Sequence, residues 1–290
     1  MKPLSTKNRA LSIQQRLNNN AKELGLDANI LRVRFSLERL LYRLSLTVHN
    51  KRIILKGAML FILWNDKTFR PTRDADFLIK GKSDHETIRQ VIVDICNIIS
   101  DSDDAMLYDA NTIKVETIKE GQQYEGTRVT LKSFLGTIYI PVQLDIGTGD
   151  IITPKAVEAD FRVIIDELPA PRLNVYNRET VIAEKLQAMV NLDLTNSRMK
   201  DFYDIWLICT QFEFNKAILA TAITATFKRR GTELPKNGIV CLRSYFYDEP
   251  SKEVQWKAFI RKSRIEPNDL SLEQVCKEIS HHLYEVFEAL

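Results

Sequence analysis

The spacing of apolar positions changes character along the chain. Through residues 9–23 and 28–48 they recur at helical spacing. In the second stretch they are Ile30, Leu31, Phe35, Leu37, Leu40, Leu41, Leu44 and Leu46, with Arg32, Arg34, Arg39 and Arg43 among them. RIIL (52–55) reads as a short buried strand, and Gly57 marks its junction with a short apolar helix. In DADFLI (74–79), Ala75, Phe77 and Ile79 alternate with Asp74, Asp76 and Leu78, which predicts a second strand. A helix is expected over 84–100 and a loop over 101–106. From 113 to 146 the period becomes two: IKVETIK, TRVTLKSF and TIYIPVQLDI are three strands, the last two turning at Leu135-Gly136. Residues 161–166 suggest one more strand, and LPAPRLNVY (168–176), with its two prolines, reads as a connector. Beyond it the pattern is helical over 178–192, 199–213, 215–230, 251–264 and 271–289. The sum is an α+β architecture: a mixed sheet with flanking helices over residues 1–172, then a C-terminal helical bundle over 173–290.

Composition narrows the function classes. The longest apolar run, IILKGAMLFILW, is interrupted by Lys56 and Gly57 and is too short to span a membrane. MKPLSTKNRA has no apolar core, which argues against a secretory signal. Cys96, Cys209, Cys241 and Cys276 are scattered, a usage that argues against zinc and fits a reducing cytoplasm. Net charge is only +3, but residues 1–56 hold 12 Lys+Arg against 3 Asp+Glu, whereas residues 57–172 hold 13 against 19. A metal-binding centre beside a polyanion-binding surface would look like this, and so would ordinary solvated helix faces.

Three features of the first segment carry candidate chemistry. Lys56-Gly57-Ala58 lies between strand and helix, where a glycine lets backbone approach a phosphate. Asp74 and Asp76, in RPTRDADF, are alternate residues of a predicted strand and share a face; two carboxylates that close repel unless a cation or protons intervene. Asp145, in VQLDIGTGD, ends an apolar alternation, where a buried carboxylate needs a partner. Each has an ordinary structural reading: a cap for the turn at Pro71 and Thr72, a pair with Arg70 or Arg73, a turn opening at Gly147. Their order along the chain is harder to explain that way. In the second segment, Lys185 lies in the row Val181, Lys185, Ala188, Leu192 of a predicted helix, and Asp201 and Asp204 share a face of the next. Either aspartate could bond Lys200 or Lys185. Phe202, Tyr203 and Trp206 read as bundle core, and His281-His282 as surface.

LLYRLS (40–45), LKGAMLF (55–61), RPTRDADF (70–77), LDIGTGD (144–150), VIAEKLQAM (181–189) and RMKDFYDIW (198–206) together resemble the AbiEii/AbiGii-type toxins of the nucleotidyltransferase superfamily. The superfamily usually has Gly-Gly or Gly-Ser where this chain has Gly57-Ala58, so a hydroxyl contact to phosphate is lost while backbone contacts survive. The resemblance implies a nucleotidyltransferase-like sheet domain and a helical companion, with the active site in the cleft between them. It implies that Asp74, Asp76 and Asp145 ligate Mg²⁺, with Mn²⁺ as an alternative, and that Asp145 helps deprotonate the attacking hydroxyl. Lys56, Gly57, Ala58, Arg70, Thr72 and Arg73 would bind the nucleotide; Lys185 would reach the triphosphate, and Asp204 with Asp201 would complete the site.

The implied reaction moves NMP from an NTP to an RNA acceptor, the 3′ end of a tRNA, and releases pyrophosphate. A cognate antitoxin protein and a role in phage defence are implied with it, and no membrane. Arg9, Arg16, Arg32, Arg34, Lys51 and Arg52 offer a surface for RNA phosphates. Two alternatives stay open on sequence: nucleotidylation of a protein, and a non-catalytic binding protein on the same scaffold.

Overall fold

The computed structural model describes every residue except 1–5, 65–71, 101, 121–123, 237, 266–268 and 289. Two compact units emerge, one of Met1–Gly149 with Val157–Val175 and one of Asp150–Ala156 with Tyr176–Leu290. Among the described residues, no helix is long and apolar enough to cross a membrane.

The first unit is built on a seven-stranded mixed sheet: β1 (Ile53–Lys56), β2 (Ala75–Ile79), β3 (Met106–Glu120), β4 (Tyr124–Leu135), β5 (Ile138–Thr148), β6 (Val157–Asp160) and β7 (Arg172–Val175). Their spatial order is β3-β4-β5-β2-β1-β7-β6. β2 runs parallel to β5 and β1 parallel to β7; the other neighbours are antiparallel. Its helices are α1 (Thr6–Glu23), α2 (Ala28–Ser45), α3 (Leu60–Trp64) and α4 (His85–Cys96). Leu40, Leu41 and Leu44 of α2 and Ile88, Val91, Ile92 and Ile95 of α4 meet Ile53, Phe77, Ile79, Leu144 and Ile146 of the sheet. The alternation that buries Phe77, Ile79, Leu144 and Ile146 on this face turns Asp76 and Asp145 to the other.

Three elements differ from the sequence expectation. β3 begins at Met106, ahead of residue 113, because its register shifts between Asp109 and Lys114 and the irregularity breaks the period of two. No strand covers 161–166; β6 is Val157–Asp160, and Phe161 and Ile165 enter the core instead. The expected connector holds β7, which pairs with both β1 and β6. Its prolines, Pro169 and Pro171, precede the strand and cost it no ladder hydrogen bond.

Two arginines that stand among the leucines of α2 lie inside. Arg39 and Glu38 are fully buried and paired at 2.9 Å. Glu38 accepts from the Ile164 amide at 2.8 Å and Arg39 donates to the Pro169 carbonyl at 3.0 Å, so the pair ties the chain before β7 to α2. Burial pushes the Glu38 carboxyl up to about 7, against the charges of Arg39 and Arg34. Arg43 makes a two-pronged contact with buried Asp104, at 2.7 and 3.0 Å. Arg9 and Arg16 both pair with Glu167.

The second unit is helical: α5 (Arg178–Leu192), α6 (Met199–Gln211), α7 (Lys216–Arg229), α8 (Ser244–Tyr247), α9 (Pro250–Ser263) and α10 (Leu272–Glu288). α8 was not anticipated; its Phe246 stacks on Phe202 with ring centroids 5.5 Å apart. Phe202 and Tyr203 are core, as expected, and the Trp206 indole donates to Glu278 at 2.5 Å.

Candidate active site

Strand register brings the predicted residues of the first unit into one row. Lys56 on β1 is opposite Asp76 on β2, Asp76 is opposite Asp145 on β5, and Asp145 is opposite Arg128 on β4. Directly paired residues project from the same face of a sheet. The row therefore reads cation, anion, anion, cation across four adjacent strands, on the face away from α2 and α4. Lys56 and Asp145 are buried, while Asp76 is half-buried.

Asp145 does not open a turn at Gly147, because β5 continues to Thr148. Its two oxygens accept from Arg128, Nε to Oδ1 at 2.8 Å and Nη2 to Oδ2 at 2.6 Å. Asp74 precedes β2 rather than belonging to it, so strand alternation does not place its carboxylate. The Thr72 hydroxyl does, donating to Asp74 Oδ1 at 2.5 Å. The hydrogen bonds from Arg128 to Asp145 raise the guanidinium's affinity for its proton, and the charges of Asp145, Asp74 and Asp76 add to this. All three carboxylates thus act on one arginine.

Gly57 is required by this arrangement on two counts. Its φ is +73°, a region that side chains with a Cβ rarely adopt. A Cβ there would also lie 1.9 Å from Asp76 Oδ2 and 2.8 Å from Asp76 Cβ, so the whole aspartate would have to move. Gly81, with φ +81° and open space around it, isolates the backbone effect. Gly81→Ala is expected to cost about 1–2 kcal/mol, and Gly57→Ala about 1–3 kcal/mol more for the displaced aspartate. Urea denaturation of the two variants decides this; equal costs would mean that Asp76 does not depend on the missing side chain. The segment after Gly57 is a 3-10 turn, Gly57–Met59, followed within the described residues by α3 (Leu60–Trp64), so the residues next to Gly57 are not yet α-helical.

The second unit carries a separate charged cluster. Lys185 Nζ on α5 donates to Asp201 Oδ1 at 2.6 Å and Asp204 Oδ2 at 2.9 Å, both on α6. The two aspartate side chains are 1% exposed and the lysine 15%, so the ammonium sits at the rim and the carboxylates beneath it. Arg198 pairs with the other Asp201 oxygen at 2.7 Å. Burial disfavours ionised Asp201, but the charges of Lys185 and Arg198 outweigh it and hold the carboxyl below its usual range. The row containing Lys185 is not the core stripe of α5; Ile182, Leu186 and Met189 are.

Comparison with known proteins identifies the family and the fold. Residues 39–279 match the family described as nucleotidyl transferase AbiEii toxin, type IV TA system. The chain belongs to the AbiEii family. It is thereby a nucleotidyltransferase of the type IV toxin–antitoxin class. Two solved structures share the fold: a protein of H. pylori assigned as a nucleotidyltransferase, and JHP933 from Helicobacter pylori. Both are 15% identical with a TM-score of 0.52; 91% of this chain aligns with 97% of the first and 94% of the second. No relative among curated proteins matches.

In this AbiEii chain the motifs have unequal fates. Arg70 lies outside the described residues, Arg73 is exposed, and Ala58 is buried. LDIGTGD is divided between the units: Asp145 faces Arg128, while Asp150 accepts from Arg230 at 2.8 Å in the second. Among the described residues, no three His, Cys, Asp or Glu side chains converge closely enough to hold a metal ion as they stand. The donor chemistry nevertheless fits a hard divalent cation. Asp76 and Asp145 stand in one row with Lys56 and Arg128, Asp74 lies just before β2, and oxygen is what Mg²⁺ prefers. Sequence reading missed Arg128 and Arg198. For Arg128 the available signal was the alternation of Arg128, Thr130 and Lys132 in β4, which marks a polar face but not its partner.

Proposed function

We propose that the chain transfers a nucleoside monophosphate from an NTP to the 3′ end of a tRNA, releases pyrophosphate, and depends on Mg²⁺. The observation that supports this most is the in-register row Lys56, Asp76, Asp145, Arg128, with Asp74 beside it. Asp74, Asp76 and Asp145 are the residues that would hold the metal, which when bound would neutralise charge on the entering and leaving oxygens.

The chain's own residues have distinct tasks in this reading. Asp145 is assigned the proton of the attacking hydroxyl, the ribose 3′-OH of the acceptor. Gly57 keeps backbone low beside Asp76, and Lys56 and Thr72 help bind the nucleotide. Exposed Arg73, and Arg70 in the same motif, are assigned to its phosphates. Lys185 is assigned to phosphate, with Asp204 and Asp201 bonded to its ammonium. Acceptor phosphates would meet the basic residues that remain outside the core, Lys51 and Arg32 among them. An antitoxin protein encoded with the chain would restrain it, in the cytoplasm.

The test is label transfer. The purified chain, Mg²⁺ and each NTP labelled at its α-phosphate are incubated in turn with total tRNA and with a cell lysate. Label on RNA is expected. Label that survives RNase but not protease would move the acceptor to a protein. No label on either would support the non-catalytic alternative.

A further inference from the structure

We propose that Arg128 is a built-in counter-ion that competes with the divalent cation for Asp145. The proposal rests on the metal assignment above and adds to it a residue that holds the third carboxylate when no metal is bound.

Three observations point to it. The contact is two-pronged, with both Asp145 oxygens taken by one guanidinium, so Asp145 cannot offer a full carboxylate to a cation while Arg128 is seated. The two are unequally buried: the Asp145 side chain is 10% exposed and the Arg128 side chain 37%. The arginine therefore has solvent to turn into, and the aspartate stays. The third observation is register. Asp145 is directly opposite Asp76, and paired positions on adjacent strands are about 4.8 Å apart. Carboxylates on neighbouring positions of one face repel unless a cation is close. Arg128 supplies that cation in the structure, at the place a bound metal would take over.

A purely structural salt bridge predicts the reverse behaviour on mutation. If Arg128 only orients Asp145, its removal leaves the ligand misplaced and metal binds worse. If it competes, removal leaves an unneutralised carboxylate group and metal binds better.

The experiment measures Mn²⁺ binding to the full chain without nucleotide, by the paramagnetic resonance of free Mn²⁺, together with the Tm shift that Mn²⁺ produces. Arg128→Gln is expected to bind Mn²⁺ about tenfold more tightly than wild type, equivalent to ~1.4 kcal/mol. Its Tm is expected to be lower than wild type without metal and to rise more on adding it. Arg128→Lys, which keeps the charge but not the fork, is expected to fall between the two and decides the matter if the glutamine variant does not fold. Wild type that binds Mn²⁺ with the variants equal or weaker would overturn the competition alone. No Mn²⁺ binding by any of the three would overturn the metal assignment with it.

Discussion

Asp76→Asn is expected to lower nucleotidyl transfer by roughly 10³-fold, about 4 kcal/mol of transition-state stabilisation, while leaving the fold intact. Asp76 is the middle of the charged row, opposite both Lys56 and Asp145. Asparagine has nearly the same shape, so the close approach of Gly57 is not disturbed. What disappears is one negative charge among three, and with it an anionic ligand. Losing a like charge beside Asp145 also relieves repulsion, so Tm is expected to hold or rise. The measurement is the initial rate of label transfer, with Tm taken on the same preparation. A rate within tenfold of wild type would remove Asp76 from the active site. A lowered Tm with a lost rate would make its role structural.

The second large effect is on stability. Arg43→Met is expected to cost about 3–5 kcal/mol, because it leaves the Asp104 carboxylate buried without its cation. Asp104 is 2% exposed and both its oxygens are bonded to Arg43. Arg43 also donates to the carbonyls of Arg39 and Met106, at 3.1 and 3.2 Å, and lies over the Tyr108 ring at 4.9 Å. Those contacts join α2 to the start of β3. Methionine keeps the bulk but none of the donors. The double variant Arg43→Met, Asp104→Leu separates charge from packing: it is expected to recover more than half of the loss, since no charge is then stranded. Urea denaturation gives both values. If the double variant is no better than the single one, the cost lies in packing and carbonyl contacts instead.

Arg43 and its neighbours also show where sequence reading stops. The stripe shows Arg32, Arg34, Arg39 and Arg43 among the leucines and names no partner for Arg39 or Arg43. In the structure Arg39 and Arg43 are core: Arg39 pairs with its neighbour Glu38 and reaches the distant Pro169 carbonyl, and Arg43 meets Asp104 and the Met106 carbonyl, both distant in sequence. β7 was hidden for a related reason. Four residues after two prolines have too little period to declare a strand, and the partners β6 and β1 on either side make Arg172–Val175 one.

What the sequence by itself determined is local and chemical. The 3.6 and 2 periods placed most helices and strands, because the buried face of an element must be continuous along it. The motifs RPTRDADF, LDIGTGD and RMKDFYDIW, read together, were enough to point to the family that the match over residues 39–279 shows. What only the tertiary structure decided is which distant charges meet. Arg128 faces Asp145 through an antiparallel pairing of β4 with β5, and Lys185 bridges Asp201 and Asp204 through the packing of α5 on α6. A one-residue slip of β4 against β5 would turn Arg128 to the opposite face with its composition and period unchanged. Register is set by how whole faces fit into a core, and a charge learns its partner only when that core has formed.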